Sequence, residues 1–200
     1  MDSNIRLRQI PMAVEISMCQ AIIAEVERVG ELEKSRTEFS GSQKNESLTS
    51  SSNLALKRIS IEVEEKVKSI ICSELHWQCN RLEPISIVRY RKGEEYKPHY
   101  DDFGPIYFYH RQYSEANKLS IAGNRVSTAI IYLNDDYTGG ETEFVITGNI
   151  VMPETGKLIA WNNINIQGCR IKNALHCGRM VKEGTKYIVS VHLRESDYPE

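Results

Sequence analysis

The sequence contains no apolar run near the roughly 18 residues that a membrane-spanning helix requires. It also has no excess of either charge, no C-x-x-C pair and no internal repeat. With 25 Lys+Arg against 27 Asp+Glu, the net charge is -2, so the chain lacks the basic field that marks a binder of nucleic acid or of anionic membranes. Its five cysteines, Cys19, Cys72, Cys79, Cys169 and Cys177, are odd in number and lack paired spacing. This argues against a disulfide frame or a zinc ribbon and predicts reduced thiols used mainly for packing. The first residues have neither a basic stretch nor a continuous apolar segment, so the expected compartment is the cytoplasm.

A 200-residue chain that is 40 % hydrophobic and 26 % charged can bury a substantial core, and the expectation is a single domain over 1–200. Cys19, Ile22, Ile23, Val26 and Val29 recur at helical spacing, with Ser17 and Gln20 as a capping box before them and Gly30 as the stop. A second helix is predicted from Ser60, with Glu62, Glu64 and Glu65 in its first turn and Val63, Val67, Ile70, Ile71 and Leu75 along one stripe. Between them, 40–53 is rich in serine and asparagine and reads as a flexible loop; 104–124 reads as a second one.

From Pro84 the texture changes. Ile85, Ile87 and Arg89 alternate with Ser86, Val88 and Tyr90, and short β-rich runs follow at 126–133, 142–146, 158–161 and 187–193, separated by turn residues such as Gly139-Gly140 and Gly184. Helices first and strands later predict an α+β chain whose β-sandwich or barrel carries the site.

His99-Tyr100-Asp101 follows one extended run. Alternate side chains of a strand share a face, so this imidazole and this carboxylate can project together. Two histidines and one carboxylate make a facial triad that leaves open positions on iron, and His176 is the best candidate to complete it. A His-x-Asp pair by itself is also compatible with chance, and a solitary histidine with an ordinary hydrogen-bonded one. Lys186 changes the weighing, because a strand returning through Gly184 can aim its ammonium into the same interior, where a buried lysine needs an anion. His76 and His110 have no partner at ligand spacing.

Taken together, four segments in order resemble the iron(II)- and 2-oxoglutarate-dependent dioxygenases, in particular their prolyl 4-hydroxylase-like branch. They are Val88-Arg89-Tyr90-Arg91-Lys92-Gly93 leading to His99-Tyr100-Asp101-Asp102-Phe103; Arg125 to Asn134; Gly139-Gly140-Glu141-Thr142-Glu143-Phe144; and Leu175-His176 with Gly184-Thr185-Lys186. The resemblance implies a double-stranded β-helix, or jelly-roll, barrel buttressed by the N-terminal helices. It implies that His99, Asp101 and His176 bind Fe(II), that Lys186 receives the distal carboxylate of 2-oxoglutarate, and that Tyr90 and Thr142 touch the same co-substrate. Arg125 matches an arginine near the substrate. The implied reaction consumes 2-oxoglutarate and O2, with ascorbate as reductant, releases succinate and CO2, and hydroxylates an unactivated C–H bond, foremost that of a prolyl residue in a peptide or protein.

Two positions depart from the family pattern. Met180 stands where a proline is frequent, and His192 where a tryptophan is frequent; His192 is in phase with Lys186 and so is a candidate substrate contact. That second change keeps open a hydroxylase of a free amino acid or small metabolite. A non-enzymatic, metal-binding jelly-roll interaction module is the alternative from another class. Neither nucleic acid nor membrane is expected as a partner.

Overall fold

The computed structural model describes residues 4–30, 32–34, 49–55, 58–104 and 121–199. Among them, seven strands form a large antiparallel sheet in the order β1-β10-β6-β13-β4-β3-β2, and four form a smaller one in the order β5-β11-β8-β9. In the large sheet these are β1 (Leu7–Ile10), β2 (Glu33–Lys34), β3 (Ser52–Ala55), β4 (Ser86–Arg91), β6 (Arg125–Tyr132), β10 (Leu158–Asn162) and β13 (Thr185–Arg194). The small sheet holds β5 (Tyr96–His99), β8 (Thr142–Phe144), β9 (Asn149–Val151) and β11 (His176–Gly178), and β7 (Thr138–Gly139) pairs with β12 (Val181–Glu183).

The period-2 pattern of β13 explains the layering. Tyr187, Val189, Val191 and Leu193 point to one face and join a core with Ile87, Ala129, Ile131, Leu158 and Ala160 from neighbouring strands. Cys19, Ile22 and Val26 of helix α1 (Ile16–Val29) and Val67, Ile71 and Cys72 of α2 (Ile61–Leu75) close that core from outside. The opposite face carries Ile188, packed with Tyr90, Ile130 and Tyr132 against Phe144 of the small sheet. Helices thus cover one side of the large sheet, and the site lies between the two sheets.

Local chemistry sets the helix ends, with one correction. The Ser60 hydroxyl accepts from the Val63 N–H at 3.3 Å and caps α2 as expected. Gly30 ends α1 in the left-handed region, donating its N–H to Val26 O. Ser17 is not a cap: α1 begins after Glu15, whose side chain makes no capping bond, and Ser17 lies inside the first turn.

Two further expectations are revised. Cys72 and Cys79 are joined in a disulfide, so the five thiols are not all reduced. Helix α2 reverses at His76, whose left-handed backbone (φ 54°) turns the chain back and brings the two cysteines together, a juxtaposition that linear spacing does not reveal. Of the loop expected at 40–53, residues 40–48 lie outside the described residues, whereas Ser52 and Asn53 are in β3 and pair with Arg89 and Val88 on β4. Their polar composition reads as loop, but the edge of β4 satisfies their backbone groups. Most of the 104–124 loop, His110 included, lies outside the described residues. The expected jelly roll is present as two stacked antiparallel sheets, and among the described residues an isolated Thr49–Tyr96 bridge links their edges. No helix among the described residues is long and apolar enough to cross a membrane.

Candidate metal and co-substrate site

His99 and His176 are directly paired partners across the β5–β11 ladder, so their imidazoles leave the small sheet side by side. Their ring centroids lie 4.3 Å apart. Asp101 follows β5 and comes between them: its Oδ1 is 3.4 Å from His99 Nε2 and its Oδ2 is 3.5 Å from His176 Nε2. The three donor atoms lie within 4.8 Å of one another.

Each histidine is fixed by its own strand. His99 Nδ1 lies 2.8 Å from Lys97 O, and His176 Nδ1 lies 2.9 Å from Ala174 O, two residues back in both cases. A carbonyl accepts only, so Nδ1 carries the proton and Nε2 is left with a lone pair facing the aspartate. Burial pushes the pKa of His176 down to about 4, which keeps that ring neutral. Asp101 is held well below the usual carboxylate range: burial opposes ionisation, but the surrounding His176, His192 and His99 outweigh it. Thr128 donates to Asp101 Oδ2 at 2.6 Å, and Asn163 Nδ2 donates to Thr128 Oγ1 at 3.0 Å. Trp161 meets the His176 ring edge-on at 4.7 Å. Such supports orient a ligand set that already has the right chemistry for a divalent transition metal.

Lys186 lies deeper. On β13 it pairs with Tyr90 of β4, and it is only 2 % exposed. Its ammonium donates to Gly140 O at 2.7 Å and lies 5.0 Å from the Tyr90 ring and 5.7 Å from the Tyr132 ring. None of the described carboxylates ion-pairs with it, and burial pulls its pKa down to about 8. Thr142, on β8, accepts from the Tyr132 hydroxyl at 2.7 Å. His99, Asp101, His176, Tyr90, Thr142 and Lys186 all line one cavity of ≈ 250 Å³. A buried ammonium with a carbonyl and hydroxyls but, among the described residues, no anion is matched to an incoming carboxylate.

Arg125 and His192 line the cavity as well, but both are engaged with Glu83. Arg125 donates to that carboxylate in bidentate fashion at 2.7 and 2.8 Å, Arg194 Nη1 adds a bond at 2.6 Å, and His192 Nδ1 lies 3.4 Å away. His192 Nε2 reaches to 3.7 Å from Asp101 Oδ1. Burial and the Arg125 charge press the His192 pKa down, yet hydrogen bonding to Asp101 and Glu83 wins and the net shift is upward. The structure therefore brings together every residue singled out from the sequence. It adds Glu83, Thr128, Tyr132 and Asn163, none of which stands in a recognisable metal-ligand spacing.

Adjacent acidic residues are also told apart. Asp102 turns away from the cavity; Arg170 Nε donates to its two oxygens at 2.8 and 3.0 Å and its guanidinium lies 4.3 Å from the Tyr100 ring. The Asp102 side chain is 1 % exposed, so Arg170→Ala would strand a buried charge. The expected loss is about 2 kcal/mol of stability, read as a lower thermal midpoint.

A family model described as the 2OG-Fe(II) oxygenase superfamily matches residues 85–194, more than half of the 200-residue chain. The chain belongs to that superfamily. One relative, probable prolyl 4-hydroxylase 6 of Arabidopsis thaliana, is 26 % identical over 188 residues, covering 82 % of this chain and 62 % of the relative. Prolyl 4-hydroxylase subunit alpha-1 of Bos taurus is 29 % identical over 113 residues, covering 56 % of this chain and 20 % of the relative. The chain thus spans less than two thirds of these relatives. Among solved structures, the 2OG complex of the viral collagen prolyl hydroxylase vCPH from Paramecium Bursaria Chlorella virus-1 superposes with a TM-score of 0.64 at 21 % identity, covering 94 % of both chains. The Trichoplax adhaerens prolyl hydroxylase, in complex with a hypoxia inducible factor oxygen degradation domain peptide fragment, superposes with a TM-score of 0.63 at 14 % identity, covering 94 % of this chain and 83 % of the other. These likenesses show the jelly-roll fold of this superfamily's oxygenases.

Proposed function

We propose that the chain is an Fe(II)- and 2-oxoglutarate-dependent dioxygenase that hydroxylates a prolyl residue in a peptide or protein. The observation that carries this reading is the pairing, in one cavity, of a His99–Asp101–His176 donor set with a buried Lys186 that has no anionic partner among the described residues. The named prolyl 4-hydroxylase relatives support the choice of substrate.

In this reading His99 and His176 present neutral Nε2 atoms and Asp101 presents a carboxylate to Fe(II), while Lys186, Tyr90 and Thr142 hold the distal carboxylate of 2-oxoglutarate. When bound, iron with the keto acid and O2 supplies the oxidising power that converts 2-oxoglutarate to succinate and CO2 and places oxygen on a C–H bond. The protein orients the reactants and limits water around them, with Ile130, Ile188, Val88 and Trp161 as the apolar part of the wall. Ascorbate is the proposed reductant that maintains the ferrous state.

His192 favours a second reading, in which the same chemistry acts on a free amino acid or small metabolite. With Glu83 and Arg125 it makes the substrate side of the cavity polar. Succinate release measured with Fe(II), 2-oxoglutarate and ascorbate, with a proline-rich peptide or with free proline, separates the two. Stimulation by the peptide, with one added oxygen on proline by mass spectrometry, supports the first; stimulation by free proline alone supports the second. A protein that binds metal but turns over neither, nor any metabolite, would be an interaction module.

The cytoplasm is the proposed compartment, and the Cys72–Cys79 bond is the observation that weighs against it, since such bonds are rare in reducing compartments. Alkylation of protein trapped at cell lysis, followed by mass spectrometry, reads which form the cell maintains.

A further inference from the structure

Strand β3 comes level with the deepest part of the cavity. Ser52 pairs with Arg89, so one step along the ladder Ser51 stands beside Tyr90, which in turn pairs with Lys186 on β13. Ser51 is 1 % and Thr49 6 % exposed, and both line the cavity. Their hydroxyl oxygens lie 2.8 Å apart, Thr49 Oγ1 is also 3.5 Å from Glu95 O, and both hydroxyls lower the otherwise burial-raised pKa of the Tyr90 phenol as hydrogen-bonding neighbours do. The Ser51 N–H donates to Thr49 Oγ1 at 3.2 Å.

We propose that Thr49 and Ser51 are positioning residues for the co-substrate, forming a hydroxyl relay that holds the Tyr90 phenol toward the distal carboxylate of 2-oxoglutarate. The inference rests on the functional reading above. Ser51 stands level with Tyr90 on the neighbouring strand, and Thr49, which accepts from the Ser51 N–H and lies 3.5 Å from Glu95 O, backs Ser51, so the two hydroxyls fix where the phenol sits. A phenol anchored on that side can turn its single proton to the cavity, and a carboxylate can only accept. Hydroxyls joined in one network also strengthen one another's bonds, and the Tyr90 ring lies 5.0 Å from the Lys186 ammonium. Two hydroxyls from a segment that reads as loop thereby belong to the binding of a small dianion.

The test uses the full chain loaded with Mn(II) and titrated calorimetrically with 2-oxoglutarate in the absence of O2. Ser51→Ala is expected to weaken binding about tenfold, in line with loss of a hydrogen bond to a charged group, and Thr49→Val by a smaller factor; Thr49→Ser, which keeps the hydroxyl, recovers most of that loss. Tyr90→Phe should weaken binding by a similar factor, and Ser51→Ala added to Tyr90→Phe should weaken it no further, because the serine acts only through the phenol. In turnover, the KM for 2-oxoglutarate rises while the KM for peptide stays fixed, a split that general loosening of β3 would not produce. Multiplicative effects in the double variant, or an unchanged affinity in Ser51→Ala, would overturn the relay while leaving the functional reading intact. Failure of the unaltered protein to bind 2-oxoglutarate would overturn both.

Discussion

Replacing Asp101 with alanine is expected to lower succinate formation about a thousandfold, equivalent to roughly 4 kcal/mol, and to abolish retention of Fe(II) through gel filtration. The expectation follows from the geometry of the carboxylate: each of its oxygens lies within 3.5 Å of one histidine Nε2. Its removal takes away the sole anion of the donor set and leaves two imidazoles 4.3 Å apart. Thr128→Val makes the informative comparison, because it leaves all three donors in place and deletes the hydroxyl that holds Asp101 Oδ2 at 2.6 Å. Loss of such a support typically costs 10 to 100-fold in metal affinity, so an anaerobic Fe(II) titration should rank the proteins wild type, Thr128→Val, Asp101→Ala. Equal iron affinity in all three would place the metal elsewhere.

Lys186→Met should raise the KM for 2-oxoglutarate about a hundredfold or more, the consequence of removing one partner of a buried charge pair, about 3 kcal/mol. The side chain has little room for a substitute: it is buried, with its ammonium on Gly140 O and between the Tyr90 and Tyr132 rings. Lys186→Arg is therefore expected to rescue little. The same residue predicts two opposite slopes with pH. Its pKa in the folded, ligand-free protein is lowered by burial from 10.5 to about 8, so between those values the unfolded chain binds a proton that the folded chain does not. Stability of the ligand-free protein consequently rises with pH across that window, by about 3 kcal/mol if nothing else titrated, and is lost again as pH falls through 8. Affinity for 2-oxoglutarate should do the reverse, falling above pH 8 as the ammonium that would meet the carboxylate disappears. Denaturant melts and calorimetric titrations across pH 7–10 would read the two trends on one sample, and parallel slopes would remove Lys186 from the binding site.

Much of the reactive centre was legible in the sequence because strand periodicity is a strict geometric rule. Ser86, Val88 and Tyr90 share one face, and Lys186 and His192 another position of the same wall, simply because even-numbered residues alternate with odd ones. His99 and Asp101 were readable for the same reason, although Asp101 lies just past the end of β5. What the sequence withheld depends on contacts between distant segments. Glu83 collects Arg125, Arg194 and His192 from two other strands, and no local pattern announces such a convergence. Residues 52–55 form a strand only because β4 offers an edge, which outweighs a composition of serine and asparagine. The Cys72–Cys79 bond likewise depends on a left-handed turn at His76, which linear cysteine spacing does not announce. Ser17 fails as a cap because Glu15, two residues earlier, already has the extended backbone that a helix boundary needs.

Each half of the reactive centre reduces to a single rung between neighbouring strands: His99 opposite His176 in the small sheet, Lys186 opposite Tyr90 in the large one. A slip of one residue in either ladder would rotate a partner to the far side of its sheet, where it meets no ligand. A molecule that retains both iron and the keto acid has thereby certified the alignment of both sheets, so ligand retention doubles as an inspection of folding accuracy, available to the cell or to the experimenter before any product is made.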